Sequence, residues 1–139
     1  MPPLVVDASL VFRLLVPNPS QAALRSRVDG WVQARGRLAA PSLWLYELTS
    51  ALVKAVHFGQ LSDGEARQAL ALAHRFPVEL VLPDSRLAEA AYAWGRRLQR
   101  ANAYDAFYLA LAEALGAELW TTDRRLARAA QQPWVQCLV

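Results

Sequence analysis

At 139 residues the chain has the length of one domain with a buried core, and its single cysteine, Cys137, excludes an intrachain disulfide and a cysteine zinc cage and suits a reducing cytoplasm. Apolar residues make up 55% of it, more than one small core hides, so a partner or a dimer interface is expected; no apolar run nears the ~20 residues of a membrane span, and no basic start marks a signal peptide. The net charge of +3 is almost wholly arginine, with Lys54 the only lysine. The planar guanidinium suits phosphate, a lean toward nucleic acid that codon bias or thermal adaptation explains equally well.

Residues 3–6 predict a short buried strand that ends at Asp7 and passes into a helix over 8–16, closed by Pro17. An amphipathic helix over 20–35 stops at Gly36. Residues 37–40 predict a second strand, and Pro41 and Ser42 lead into a long helix over 43–58 that Gly59 ends. Ser62-Asp63-Gly64-Glu65 has the spacing of a capping box, so a helix runs from there to Arg75 and Glu65 is structural. A third strand is expected over 77–82. Asp84 then caps a helix to Arg100, and Asn102 caps another to Leu115 that Gly116 terminates. Residues 118–121 predict a strand, Asp123 begins a short helix to Ala130, and 135–138 form a last edge strand after Pro133. Strands separated by helices indicate a single α/β domain over 1–139 with a mostly parallel sheet. In such sheets ligands bind beyond the carboxyl ends of the strands, where Asp7 and Asp123 are expected.

Four carboxylates carry the chemistry: Asp7, Glu47, Asp105 and Asp123 sit where an apolar strand or helix needs no charge. Asp7 and Asp123 have an ordinary alternative as helix N-caps. Asp105 is harder to explain so, because Asn102 already supplies a cap and Asp105 falls at the third position of that helix. Glu47 lies within the stripe Trp44, Leu48, Ala51, Leu52, Ala55; a carboxylate turned inward is costly unless paired or metal-bound, with Arg13 as a possible partner. Four converging acids would repel one another and raise their own pKa values unless a divalent cation neutralised them. Oxygen donors alone select Mg²⁺ or Mn²⁺ over zinc. His57 and His74 fall on helices remote from the acids and read as surface or packing residues.

The stretches VVDASL, PSLWLYELTSAL and AYDAFYLALAEALGAELWTTDRRL resemble, in that order and spacing, a PIN domain, and more narrowly a VapC-type toxin of a VapBC toxin-antitoxin system. Position by position, the resemblance puts the family's catalytic, metal-binding acids on Asp7, Glu47, Asp105 and Asp123. Asp7 and Asp105 would be direct ligands, with Glu47 and Asp123 completing the set through the metal or its waters. The family's hydroxyls fall on Ser9 and Thr122, which would orient carboxylates or waters. Ser50 stands where many relatives carry Asn, and Asn102-Ala103 where Ser or Thr is common. The resemblance implies a three-layer α/β/α sandwich and a Mg²⁺-dependent endoribonuclease, with Mn²⁺ able to substitute. It also implies a homodimer and a cognate antitoxin that covers the active site. In that chemistry one or two cations polarise the scissile phosphate and stabilise the leaving 3′ oxygen of an in-line displacement, giving a 5′ phosphate and a 3′ hydroxyl.

Arg124, Arg125 and Arg128 follow Asp123, and Arg96, Arg97 and Arg100 precede Asp105. Both clusters are candidates to hold RNA phosphates, and a solvated helix face is the alternative. Trp44, Leu45, Tyr46 and Trp31 are candidates for an apolar groove that takes an antitoxin helix, whereas Trp120 reads as core. A phosphatase or phosphoacceptor reading fails because Asp7-Ala8-Ser9 lacks the second aspartate of a DxD nucleophile and no lysine follows a late strand. A non-catalytic RNA-binding or antitoxin-docking module is the alternative from another class.

Overall fold

The first apolar run becomes β1 (Leu4–Val6), every residue of which is buried, as a strand covered on both faces requires. The structure, a computed structural model, describes residues 1–138. After β1 the chain continues through α1 (Ala8–Leu15), α2 (Gln21–Arg35), β2 (Leu38–Pro41), α3 (Leu43–His57), α4 (Asp63–Arg75), β3 (Val78–Val81), α5 (Ser85–Arg97), α6 (Tyr104–Leu115), β4 (Leu119–Thr121), α7 (Arg124–Ala130) and β5 (Val135–Cys137). The strands form one sheet in the order β3-β2-β1-β4-β5, and every pairing is parallel, so the sheet is fully rather than mostly parallel.

The order decides the layers. From β1 the chain moves outward through β2 to β3, then crosses back to β4 and moves outward the other way to β5. Right-handed crossovers in opposite directions place their helices on opposite faces. On one face α1 packs against β4 and α3 against β2, with α2 and α4 leaning on them; on the other, α6 packs against β1, β2 and β4 and carries α5. The result is a three-layer α/β/α sandwich around one cluster of buried apolar side chains.

Local signals account for most element ends. Gly36 (φ 86°) and Gly116 (φ 61°) close α2 and α6 in the left-handed region, which costs glycine no Cβ clash. The capping box of α4 is complete: the Glu65 amide donates to Ser62 Oγ at 3.0 Å and the Ser62 amide to Glu65 Oε1 at 2.9 Å. Two expectations are corrected. The helix after Asp84 ends at Arg97 rather than Arg100, because the chain turns left-handed at Gln99 (φ 56°). The next begins at Tyr104 with Ala103 as its cap residue, since Asn102 Oδ1 accepts from the Tyr104 amide (3.3 Å) in a local turn; Asp105 is therefore the second helical residue, not the third. Among the described residues, no helix is long and apolar enough to cross a membrane.

Candidate active site

β1 and β4 are neighbours although their crossovers leave in opposite directions, so the crevice at their carboxyl ends is the switch point of the sheet. Val6 pairs with Trp120, and the Asp7 amide donates to the Trp120 carbonyl at 3.2 Å. That bond fixes the first residue beyond β1 against the end of β4. Asp7 is 6% exposed, and its carboxylate accepts three hydrogen bonds. Its Oδ1 accepts from Ser9 Oγ (2.5 Å) and from the Leu10 amide (3.1 Å), and its Oδ2 accepts from Thr121 Oγ1. Ser9 in turn accepts from Thr122 Oγ1 (3.0 Å) and from the Thr122 amide (3.3 Å), and Thr121 Oγ1 accepts from the Asp123 amide (2.9 Å). Each hydroxyl spends its proton toward Asp7 and accepts one from the β4–α7 turn. The network is therefore ordered around an ionised, acceptor-only Asp7.

The helical side of the recess is looser. Glu47, half-buried on α3, accepts from the Tyr108 hydroxyl of α6 at 2.7 Å; that hydroxyl, and not Arg13, is its partner. Asp105, one turn before Tyr108 on α6, lies 3.5 Å from Arg100 Nη1 in an ion pair whose side chains are 32% and 36% exposed. Asp123 caps α7 by accepting from the Leu126 amide through Oδ1 at 3.1 Å. The capping alternative thus holds for Asp7 and Asp123 and is compatible with a second role, because one carboxylate oxygen serves the cap and the other is directed elsewhere.

Electrostatics tie the acids together. Asp7 is raised above the ordinary aspartate value, chiefly by burial, with the bonds from Ser9, Thr121 and Leu10 opposing and the charge of Asp105 adding. Glu47 is raised by burial first, with Tyr108 opposing and Asp105 and Asp7 adding. Asp105 is raised by burial and then by Asp123, against Arg100. Tyr108 is pushed far up by burial and by Glu47, so it stays a neutral donor. Asp105 links the set: its charge acts on Asp7 and Glu47, and it feels that of Asp123.

Among the described residues no group of three or more His, Cys, Asp or Glu side chains is placed to hold a metal ion. The donors around the recess are nevertheless all oxygens, three of the acids hold protons more tightly than in water, and their neighbours are further acids. That is the chemistry of a set suited to a hard divalent cation, and Mg²⁺ in particular needs only one or two carboxylates because it keeps several waters.

The remaining candidates divide. Ser9 reaches a carboxylate as expected, but Thr122 reaches Ser9, and the hydroxyl that reaches Asp7 from β4 is Thr121. Thr121 and Tyr108 were missed. Tyr108 carries a readable signal, for it stands three residues after Asp105 on the same helical face. Arg96, Arg124, Arg125 and Arg128 are exposed, Arg97 lies over the Trp94 ring at 4.6 Å, and Arg100 pairs with Asp105. His57 and His74 are exposed. Trp44 is core (1% exposed) and Trp31 packs edge-on against Trp120 at 5.4 Å, so neither supplies the expected apolar groove, while Trp120 is buried as expected. A groove of about 270 Å³ does exist between α3 and α4, lined by Leu52, Val53, Val56 and Leu70.

Comparison with known proteins gives the same frame. The family model of the PIN domain matches residues 4–132. The chain is similar to Ribonuclease VapC3 of Mycobacterium tuberculosis, 37% identical over 126 residues that cover 90% of this chain and 85% of that protein. It is also similar to Ribonuclease VapC3 of Pyrobaculum aerophilum, 35% identical over 126 residues covering 89% and 92%. Among solved structures, VapBC2 from Rickettsia felis bound to a DNA fragment from their promoter superimposes with a TM-score of 0.68 at 14% identity, covering 97% of this chain and 96% of that one, a likeness of fold.

Proposed function

The chain belongs to the PIN domain family, and from that premise we propose that it is a Mg²⁺-dependent endoribonuclease, the toxin of a type II toxin-antitoxin pair. The observation that carries the reading is the Asp7 carboxylate: buried, held by two hydroxyls and an amide, and facing the fields of Asp105 and Glu47. No packing need explains such an arrangement, since burying like charges is costly. Relatives at 35–37% identity named as ribonucleases support the reaction class.

Asp7 and Asp105 would hold the cation, with Glu47 and Asp123 completing the set directly or through water; Mn²⁺ would substitute. Bound there, the cation would polarise the scissile phosphate and stabilise charge on the leaving 3′ oxygen. The protein's own residues do the positioning. Ser9 and Thr121 fix both oxygens of Asp7, Thr122 orients Ser9, and Tyr108 holds Glu47 Oε1. In-line attack of water then leaves a 5′ phosphate and a 3′ hydroxyl. Exposed Arg124, Arg125 and Arg128 on α7, which Asp123 caps, and Arg96 and Arg97 at the end of α5 are the candidates to meet RNA phosphates.

Exposed apolar surface supports two partners. The α3–α4 groove, with Val53 66% exposed and the Asp63–Arg67 pair on its rim, suits the apolar face of an antitoxin helix. Leu80 and Leu82, 40% and 79% exposed at the β3 edge, suit a homodimer in the cytoplasm.

The test is incubation of the purified protein with structured RNAs in Mg²⁺ or Mn²⁺, beside an EDTA control and Asp105→Asn. Cleavage that needs the metal, leaves 5′ phosphates and disappears in the variant supports the proposal. RNA binding without metal-dependent cleavage would identify a non-catalytic RNA-binding or antitoxin-docking module instead.

A further inference from the structure

Of the six arginines that flank the acids in sequence, Arg100 is the one that forms an ion pair among the described residues, and its partner is Asp105. It arrives there through the stop that ends α5. The amides of Leu98, Gln99 and Arg100 donate back to the carbonyls of Trp94, Arg96 and Gly95, while Gln99 takes a φ of 56°. Two of these bonds, Gln99 to Arg96 and Arg100 to Gly95, are those of a Schellman helix stop, with Gln99 in the left-handed position that glycine more often fills. A helix continued to Arg100 would carry that residue onward along the α5 axis; the left-handed turn instead brings it back to the start of α6.

The pair itself is slack. Its N···O separation of 3.5 Å exceeds the ~2.7–2.9 Å of a tight charge-assisted bond, and both side chains keep about a third of their surface in solvent. A guanidinium carries five N–H donors in a planar fork, and this contact engages one of its nitrogens. Arg100 therefore neutralises Asp105 without being consumed by it. A cation drawn to the recess competes for the same carboxylate, and an RNA phosphate arriving there offers the fork a bidentate match.

Resting on the nuclease reading above, we propose that Arg100 is the phosphate-holding residue of the recess, kept on Asp105 until a divalent cation takes that carboxylate and frees the fork for RNA. Cation and RNA binding are then coupled: each favours the form of Arg100 that the other needs.

The experiment measures two affinities on the full chain: Mn²⁺ by electron paramagnetic resonance without RNA, and a labelled single-stranded RNA by anisotropy in Ca²⁺ and in EDTA over a salt series. Wild type is expected to bind RNA more tightly in Ca²⁺ than in EDTA. Arg100→Gln should bind Mn²⁺ about three- to tenfold more tightly, having lost the competing charge. The same variant should bind RNA about tenfold more weakly, lose the Ca²⁺ enhancement, and show a salt slope smaller by about 0.7. Arg100→Lys should keep the wild-type Mn²⁺ affinity and regain part of the RNA affinity, since it restores charge without the fork. Loss of a nearby charge alone would move the two affinities in these directions but would leave the Ca²⁺ enhancement in place, so its loss is the reading that separates the proposal from a structural ion pair. Unchanged RNA affinity in Arg100→Gln, or weakened Mn²⁺ binding, overturns the proposal while leaving the nuclease reading in place. A wild type that binds neither probe overturns both.

Discussion

The acidic recess has two halves that are held in different ways. On the strand side, Asp7 is buried, its carboxylate accepts from Ser9, Leu10 and Thr121, and Ser9, Thr121 and Thr122 lock it to the β4–α7 turn. On the helix side, Glu47 and Asp105 are half-buried, and each has one side-chain partner, the Tyr108 hydroxyl and the Arg100 guanidinium. Adjacent parallel strands fix their carboxyl ends to each other through the ladder, so groups placed there inherit its rigidity. Helices α3 and α6 meet the recess from opposite layers, and only side chains join them across it. The strand half therefore supplies position, and the helix half supplies charge that can rearrange.

The largest effect should come from the strand half. Asp7→Asn keeps the shape and the cap on α1 but removes the charge; cleavage should fall on the order of a thousandfold. Thermal stability should change little, because relief of a buried charge with raised proton affinity is offset by an amide NH2 set against a donor of the network. RNA cleavage rates beside a Tm measurement check this, and a variant that loses Tm together with activity would make Asp7 a structural cap first.

Next in size is the contrast between the two threonines. Thr121 is fully buried, donates to Asp7 and accepts from the Asp123 amide. Thr121→Val leaves both without that partner and should cost about 1–3 kcal/mol, measured by denaturant unfolding. Thr122→Val loses a single bond to Ser9 and should cost less. Equal losses would show that the strand half is not ordered around Asp7.

This contrast also marks how far the sequence could be read. The element order was legible because Gly36, Gly116, the Ser62–Glu65 box and the Asp84 cap are local signals with local causes. Asp7, Glu47, Asp105 and Asp123 stood out because each is a charge out of place in an apolar pattern. What could not be read was pairing. Nothing in the Thr121-Thr122 pair tells which hydroxyl faces Asp7, since that depends on the pairing of β4 with β1. Tyr108, although its spacing sets it on the face of Asp105, shows no partner until α3 brings Glu47 to it, and Arg100 looks helical until Gln99 turns. Tertiary context set all three.

The smallest effect belongs to the helix half and is read through pH. Asp7, Glu47 and Asp105 are raised in the fold, chiefly by burial. Over a range beginning near the ordinary values of 3.8 for aspartate and 4.5 for glutamate, the native protein keeps protons that the unfolded chain has released. The native state binds more protons there, so the unfolding free energy falls as pH rises through that range. In EDTA these groups should make Tm decline from mildly acidic toward neutral pH. Saturating Mg²⁺ should offset the decline, because the cation binds the ionised acids. Tyr108→Phe sharpens the assignment: without its donor Glu47 is raised further, so the decline should extend to higher pH, with a cost of about 1 kcal/mol near neutrality. A decline that Tyr108→Phe leaves unchanged would assign the linkage to Asp7 and Asp105. If these acids were not strained by burial and by one another, Tm in EDTA would show no such decline, and the division between a positioned half and a rearranging half would lose its electrostatic basis.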